Sequence, residues 1–110
     1  IILPIELCSK LHTTQDNSKL LQELKFNLGT AYQIADDIDD IESDLKDNNN
    51  NIVLRYCKEH KVNKTEGISQ LQNIAISNLD LAIQKTSLTN LKIQSTIKQI
   101  TSYLRVKLQN

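Results

Sequence analysis

Only two glycines, Gly29 and Gly67, and one proline, Pro4, punctuate the 110 residues of this chain. A β-rich protein of this size needs many turns and draws on glycine, proline, asparagine and aspartate to make them. Here leucine, isoleucine and alanine instead recur at intervals of three and four, the period of a helix with one buried face. Leu21, Leu24, Leu28, Ala31, Ala35, Ile38, Ile41 (or Glu42) and Leu45 predict a long helix over residues 18–46. Ile68, Leu71, Ile74 or Ala75, Leu79, Ala82 and Ile83 predict another over 65–86, and Leu88, Leu91, Ile93, Ile97, Ile100, Leu104 and Leu108 a third over 88–108. Shorter helices are expected over 5–12, where Pro4 suits a helix start, and from Ile52 to about residue 60. The β-branched Ile52 and Val53 leave a strand open at that second place. Asp16, Asn17 or Ser18 can cap the long helix. The connection near residues 86–88 is short, which favours antiparallel neighbours. The expected fold is all-α, an antiparallel helical array with a core of leucine and isoleucine.

A net charge of zero hides a local imbalance. Residues 36–51 carry seven acids against one base, Lys46, whereas residues 52–110 carry nine bases against three acids. The bases are scattered and poor in aromatic neighbours, which argues against a nucleic-acid partner. No apolar run approaches the ~20 residues of a membrane span. Cys8 and Cys57 form no disulfide framework and no signal peptide precedes them, so free thiols in the cytoplasm are expected. Cys57 and His60 have a ligand-like spacing, but structural zinc takes four ligands and no second pair accompanies them.

The acidic segment carries the chemistry. Residues three and four apart on a helix are neighbours, so Gln33, Asp36, Asp37, Asp40 and Asp44 are expected to form one strip, with Ile34, Ile38, Ile41 and Leu45 on another side. Crowded carboxylates repel unless a cation sits among them. Magnesium suits them: it is a hard ion, held by one or two carboxylates together with phosphate oxygens of a substrate. An EF-hand is rejected, because its sixth position requires glycine and Glu42 stands there, counting from Asp37. A solvated acidic face is the other reading of the same residues, and Asp39 and Asp47 fit it. Gly29, inside the helix, costs about 1 kcal/mol against alanine and suggests close approach of a helix or a ligand.

The run Gly29-x-x-Tyr32-Gln33-x-x-Asp36-Asp37-x-x-Asp40 resembles the second aspartate-rich motif of the trans-isoprenyl diphosphate synthases, the polyprenyl synthetase family. Six constrained positions match at fixed spacing, and 70 residues readable as helices follow Asp40. The resemblance is sharp over about residues 24–45 and architectural elsewhere. It implies a Mg²⁺-dependent prenyltransferase of isoprenoid biosynthesis, in which isopentenyl diphosphate attacks the cation left by an allylic diphosphate. On that resemblance Asp36, Asp37 and Asp40 are the metal ligands, with Asp36 foremost. Gln33 lies beside the substrate diphosphate, and Tyr32 is an aromatic packing position. The resemblance also implies a C-terminal fragment of a larger isoprenoid-synthase bundle, whose first aspartate-rich motif would lie upstream of Ile1. The 110 residues alone are expected to be inactive, acting as a homodimer or in a complex with that N-terminal portion.

The chain departs from the family pattern after the motif. Asp44-Leu45 matches its continuation, but Asn49 stands near the position of a lysine that contacts the diphosphate, and Lys46 lies three residues early. The connection from Asp40 to Asp44 is also short, as in divergent members that prenylate signalling peptides. A non-catalytic homologue serving as a regulatory subunit, a peptide-modifying prenyltransferase, and a helical interaction module unrelated to isoprenoids are the rival readings.

Overall fold

The structure, a computed structural model, describes residues 18–87 and 91–109. Among them the chain forms five helices and no strand: α1 (Ser18–Asp39), α2 (Ile41–Asp47), α3 (Ile52–His60), α4 (Lys64–Thr86) and α5 (Leu91–Gln109). The all-α expectation holds, and the segment from Ile52 is a helix and not a strand. The helix expected over 5–12, Cys8, the capping candidates and Leu88 lie outside what is described, save the backbone of Ser18.

The three long helices form the body of the fold. α1 packs chiefly on α4 and α4 on α5, while α5 also touches α1. Leu21, Leu24, Leu28, Ala31, Ile34 and Ala35 of α1 meet Leu71, Ala75, Leu79 and Ala82 of α4 and Ile93, Ile97, Ile100, Leu104 and Leu108 of α5 in one buried cluster. Each fully buried leucine or isoleucine contributes roughly 1.5–3 kcal/mol. This seam outweighs the weak helix propensity of the β-branched isoleucines. Three expected core positions are corrected. Leu45 is 62 % exposed and Leu91 81 % exposed, because the apolar period runs on where the helix has left the seam or is only beginning. Ile83 is exposed as well.

The seam between α1 and α4 holds a partly buried polar cluster. Asn27, 3 % exposed, donates from Nδ2 to Asn78 Oδ1 at 2.9 Å. Its own Oδ1 accepts from Lys85 Nζ at 2.9 Å. Lys85 also pairs with Glu23 at 3.7 Å. These contacts set α1 and α4 antiparallel. Gln72 Nε2, donating to the Leu108 carbonyl at 2.7 Å, does the same for α4 and α5.

The expected helix over 18–46 is instead two helices joined at a bend. Asp40 adopts φ −98° and ψ 9°, the bridge region between helix and strand. The hydrogen-bond ladder survives: Asp40 N–H reaches the Asp36 carbonyl at 3.1 Å, and Asp44 N–H reaches the Asp40 carbonyl at 2.8 Å. α2 ends at Asn48 in the left-handed region, φ 56°, a conformation asparagine tolerates better than most residues. The short α3 then leans on α4, where a Cβ added to Gly67 would collide with Cys57 Sγ. Gly67 is thus required by the close approach of these two helices. Gly29 occupies a buried position of α1.

Candidate functional site

The motif at residues 29–40 occupies the last three turns of α1 and the bend after it. The structure divides its aspartates between two surroundings. Asp37 turns toward α3 and is 9 % exposed. Its Oδ2 accepts the backbone N–H of Ile52 at 2.7 Å, and its Oδ1 accepts Gln33 Nε2 at 3.1 Å. A carboxylate at the first residue of a helix satisfies an otherwise orphaned donor and opposes the positive end of the helix dipole.

Asn51 completes the joint. It is 4 % exposed, and its Oδ1 caps α3 by accepting Val53 N–H at 2.8 Å. Its Nδ2 donates both to the Asp37 carbonyl at 2.7 Å and to Asp44 Oδ2 at 2.8 Å. Asp37, Asp44 and Asn51 therefore tie three helices together at one corner. In sequence Asn51 is the last of four consecutive asparagines, which composition alone does not tell apart. Its signal was its place immediately before an apolar helical run, where asparagine is a preferred cap.

Asp36, near the end of α1, and Asp40, at the bend, lie one turn apart; Asp36 is half-buried and Asp40 exposed. Neither carboxylate joins the corner. Partial burial, followed by the negative charge of Asp40, raises the Asp36 carboxyl above its ordinary value; Asp37 and Asp39 add to the rise, and Lys107 of α5 opposes it. Lys107 reaches Asp39 at 3.3 Å and sits 5.9 Å from the Tyr32 ring centre. Burial lowers the Lys107 ammonium, but the Asp39 contact outweighs it, with help from the Tyr103 and Asp36 charges, and the net shift is upward. Tyr32 is half-buried against the core, a packing role.

The donor set fits magnesium with two carboxylates better than with three. Asp36 and Asp40 keep their oxygens clear of the corner, and the upward shift at Asp36 marks negative charge that a cation would relieve. Both oxygens of Asp37 already accept hydrogen bonds. Among the described residues, no group of three or more histidine, cysteine, aspartate or glutamate side chains is gathered to hold a metal ion.

Cys57 and His60 each have a contact of their own. Cys57 Sγ lies 3.5 Å from the Asn63 carbonyl, and the His60 ring stacks on Tyr56 with centres 4.1 Å apart. No helix among the described residues is long and apolar enough to cross a membrane. Comparison with protein-family models, curated proteins and solved structures finds no match to this chain.

Proposed function

We propose that this chain supplies the second metal–diphosphate site of a prenyltransferase similar to the trans-isoprenyl diphosphate synthases, with Asp36 and Asp40 as the magnesium ligands. The observation that carries the reading is the pair Asp36 and Asp40, which straddles the end of α1 and the bend. Two short, stiff acids stand one turn apart, outside the corner that holds Asp37, and partial burial, followed by the negative charge of Asp40, raises the Asp36 carboxyl. The six-position motif that contains them supports the same chemistry.

In this reading Asp36 and Asp40 orient the cation, and Gln33 offers the second N–H of its Nε2 to a diphosphate oxygen. Asp37 acts as a positioning residue, holding α1, the bend and α3 in fixed relation. Magnesium bound there supplies Lewis-acid neutralisation of a diphosphate leaving group. The substrates are an allylic diphosphate and isopentenyl diphosphate, and the remainder of the site comes from a portion that carries a first aspartate-rich motif. A cytoplasmic location and a homodimer go with this reading.

The test is thermal. Magnesium together with inorganic pyrophosphate is expected to raise the melting temperature, because a ligand that binds only the folded state stabilises it. Either alone is expected to do less, and Asp36→Asn should abolish the joint effect. An equal shift in wild type and Asp36→Asn would defeat the assignment.

A second reading, a non-catalytic homologue, is favoured by two observations: both Asp37 oxygens are spent within the protein, and Asn49 stands near the lysine position. It predicts a folded protein that binds magnesium pyrophosphate yet forms no product from the two diphosphates when its N-terminal portion is present.

A further inference from the structure

A cavity of about 360 Å³ opens between α1 and the start of α3, lined by Thr30, Gln33, Asp37, Asn50, Asn51 and Arg55. Most of its polar lining is already committed. Asp37 and Asn51 are engaged in the corner, and the Thr30 hydroxyl donates to the Phe26 carbonyl at 2.8 Å. The N-terminus of α3 is also consumed, since its first two amides serve Asp37 and Asn51. Arg55 remains. It lines the cavity, and no ion pair of the described residues includes it. Asn50 and Gln33 line the same cavity, and the Gln33 amide nitrogen, which donates one hydrogen to Asp37, has a second to give.

An unspent guanidinium at the edge of a cavity lined with amides is a receptor for a tetrahedral oxyanion. Its planar fork matches two phosphate oxygens at once, and neutral amides can take the others without charge repulsion. The Asp37 carboxylate does not forbid this. Its charge is met by the α3 N-terminus and by Gln33, and its oxygens are turned to those partners.

We infer that the cavity between Gln33 and Arg55 binds one phosphate group directly, through hydrogen bonds and without a bridging cation. Its assignment to the far phosphate of a diphosphate whose other end meets Asp36 and Asp40 rests on the function proposed above. A free phosphate is the other source of the same chemistry. Gln33, which lies on α1 between the two acidic surroundings, joins the cation-dependent and cation-free halves. Arg55 then supplies the positive charge missing at Asn49.

Calorimetric titration of the protein with inorganic phosphate and with pyrophosphate, each in EDTA and in magnesium, tests the inference. Pyrophosphate is expected to bind in EDTA and more tightly in magnesium. Arg55→Gln should weaken pyrophosphate about tenfold or more in both conditions, as the loss of a forked charge-assisted contact. Arg55→Lys, which keeps the charge but loses the fork, should fall between. Asp36→Asn should lose only the magnesium-dependent gain. Arg55→Gln binding both anions like wild type, with an unchanged circular dichroism spectrum, would overturn the pocket, as would wild type binding neither anion in EDTA. If magnesium tightens pyrophosphate through Asp36 while Arg55→Gln changes nothing, the pocket fails and the magnesium site stands. If Arg55→Gln weakens both anions while magnesium has no effect, the pocket stands as a free-phosphate site and the magnesium reading fails.

Discussion

Asp36 and Asp37 are adjacent in the chain and opposite in circumstance. Asp37 faces the corner where α1, the bend and α3 meet, and its two oxygens accept an amide from the backbone and one from Gln33. Asp36 is half-buried, one turn from Asp40, and its carboxyl is pushed upward by partial burial and by its acidic neighbours. One carboxylate lowers the free energy of the fold and the other raises it. A rotation of about 100° on a helix separates a structural acid from one held ready for a cation. A pattern of paired acids therefore does not by itself say how many of them are ligands.

The contrast can be broken most severely at Asp37. Asp37→Ala strips the Ile52 amide of its acceptor and leaves Gln33 unpaired. Hydrogen bonds to charged groups are worth about 1.5–3 kcal/mol. A loss near the upper end of that range is expected in urea unfolding, together with amide exchange at the start of α3. Asn51→Ala should follow, at about 2 kcal/mol, since it removes a cap and two further bonds. Its melting temperature should fall by roughly 8–16 °C for a domain of this size. A loss confined to a few tenths of a kcal/mol in either variant would show that the corner is not what holds α3.

Asp36→Asn is the smallest change and has the opposite sign. A carboxyl raised by folding destabilises the protein once ionised. Its contribution to stability is fully present below the ordinary value of 3.8 and is lost as pH rises through the shifted value. Asp36→Asn should therefore raise the melting temperature slightly at pH 7. It should also flatten the wild-type gain in relative stability as pH falls through the acid range. A lower melting temperature at pH 7 would mean that Asp36, like Asp37, is spent on the fold.

The helices were legible because their signal is local. The buried line Leu71, Ala75, Leu79, Ala82 repeats at helical spacing over most of α4, and nothing but a packed helix produces it. The bend at Asp40 was hidden because its cause lies elsewhere in the chain. α1 gives way there to the corner at which the start of α3 docks on Asp37, 15 residues away in sequence. Leu45 misled because a periodic pattern records a face and not its partner, and α2 carries that face past the end of the seam. Among the four asparagines, composition cannot separate Asn48, which takes a left-handed turn, from Asn51, which is buried and bonded four ways. The motif residues stood out as a spacing, but their division between two sides depended on where α3 comes to rest.

Asn27 and Asn78 carry a consequence for the assembly of the whole. Leucine and alanine faces are nearly self-similar, so two such helices could slide by one turn, about 5.4 Å, at little cost in apolar burial. A buried amide pair is not self-similar. Displaced by a turn, Asn27 would face carbon, with two donors and an acceptor abandoned in the core. The pair works as a notch in an otherwise smooth rail, admitting one axial setting. That setting brings the end of α1 level with the end of α5, so that Lys107 arrives at Asp39 and within range of Asp36. An amide buried deep in the seam thus fixes the height at which charges meet at the far end of the helix.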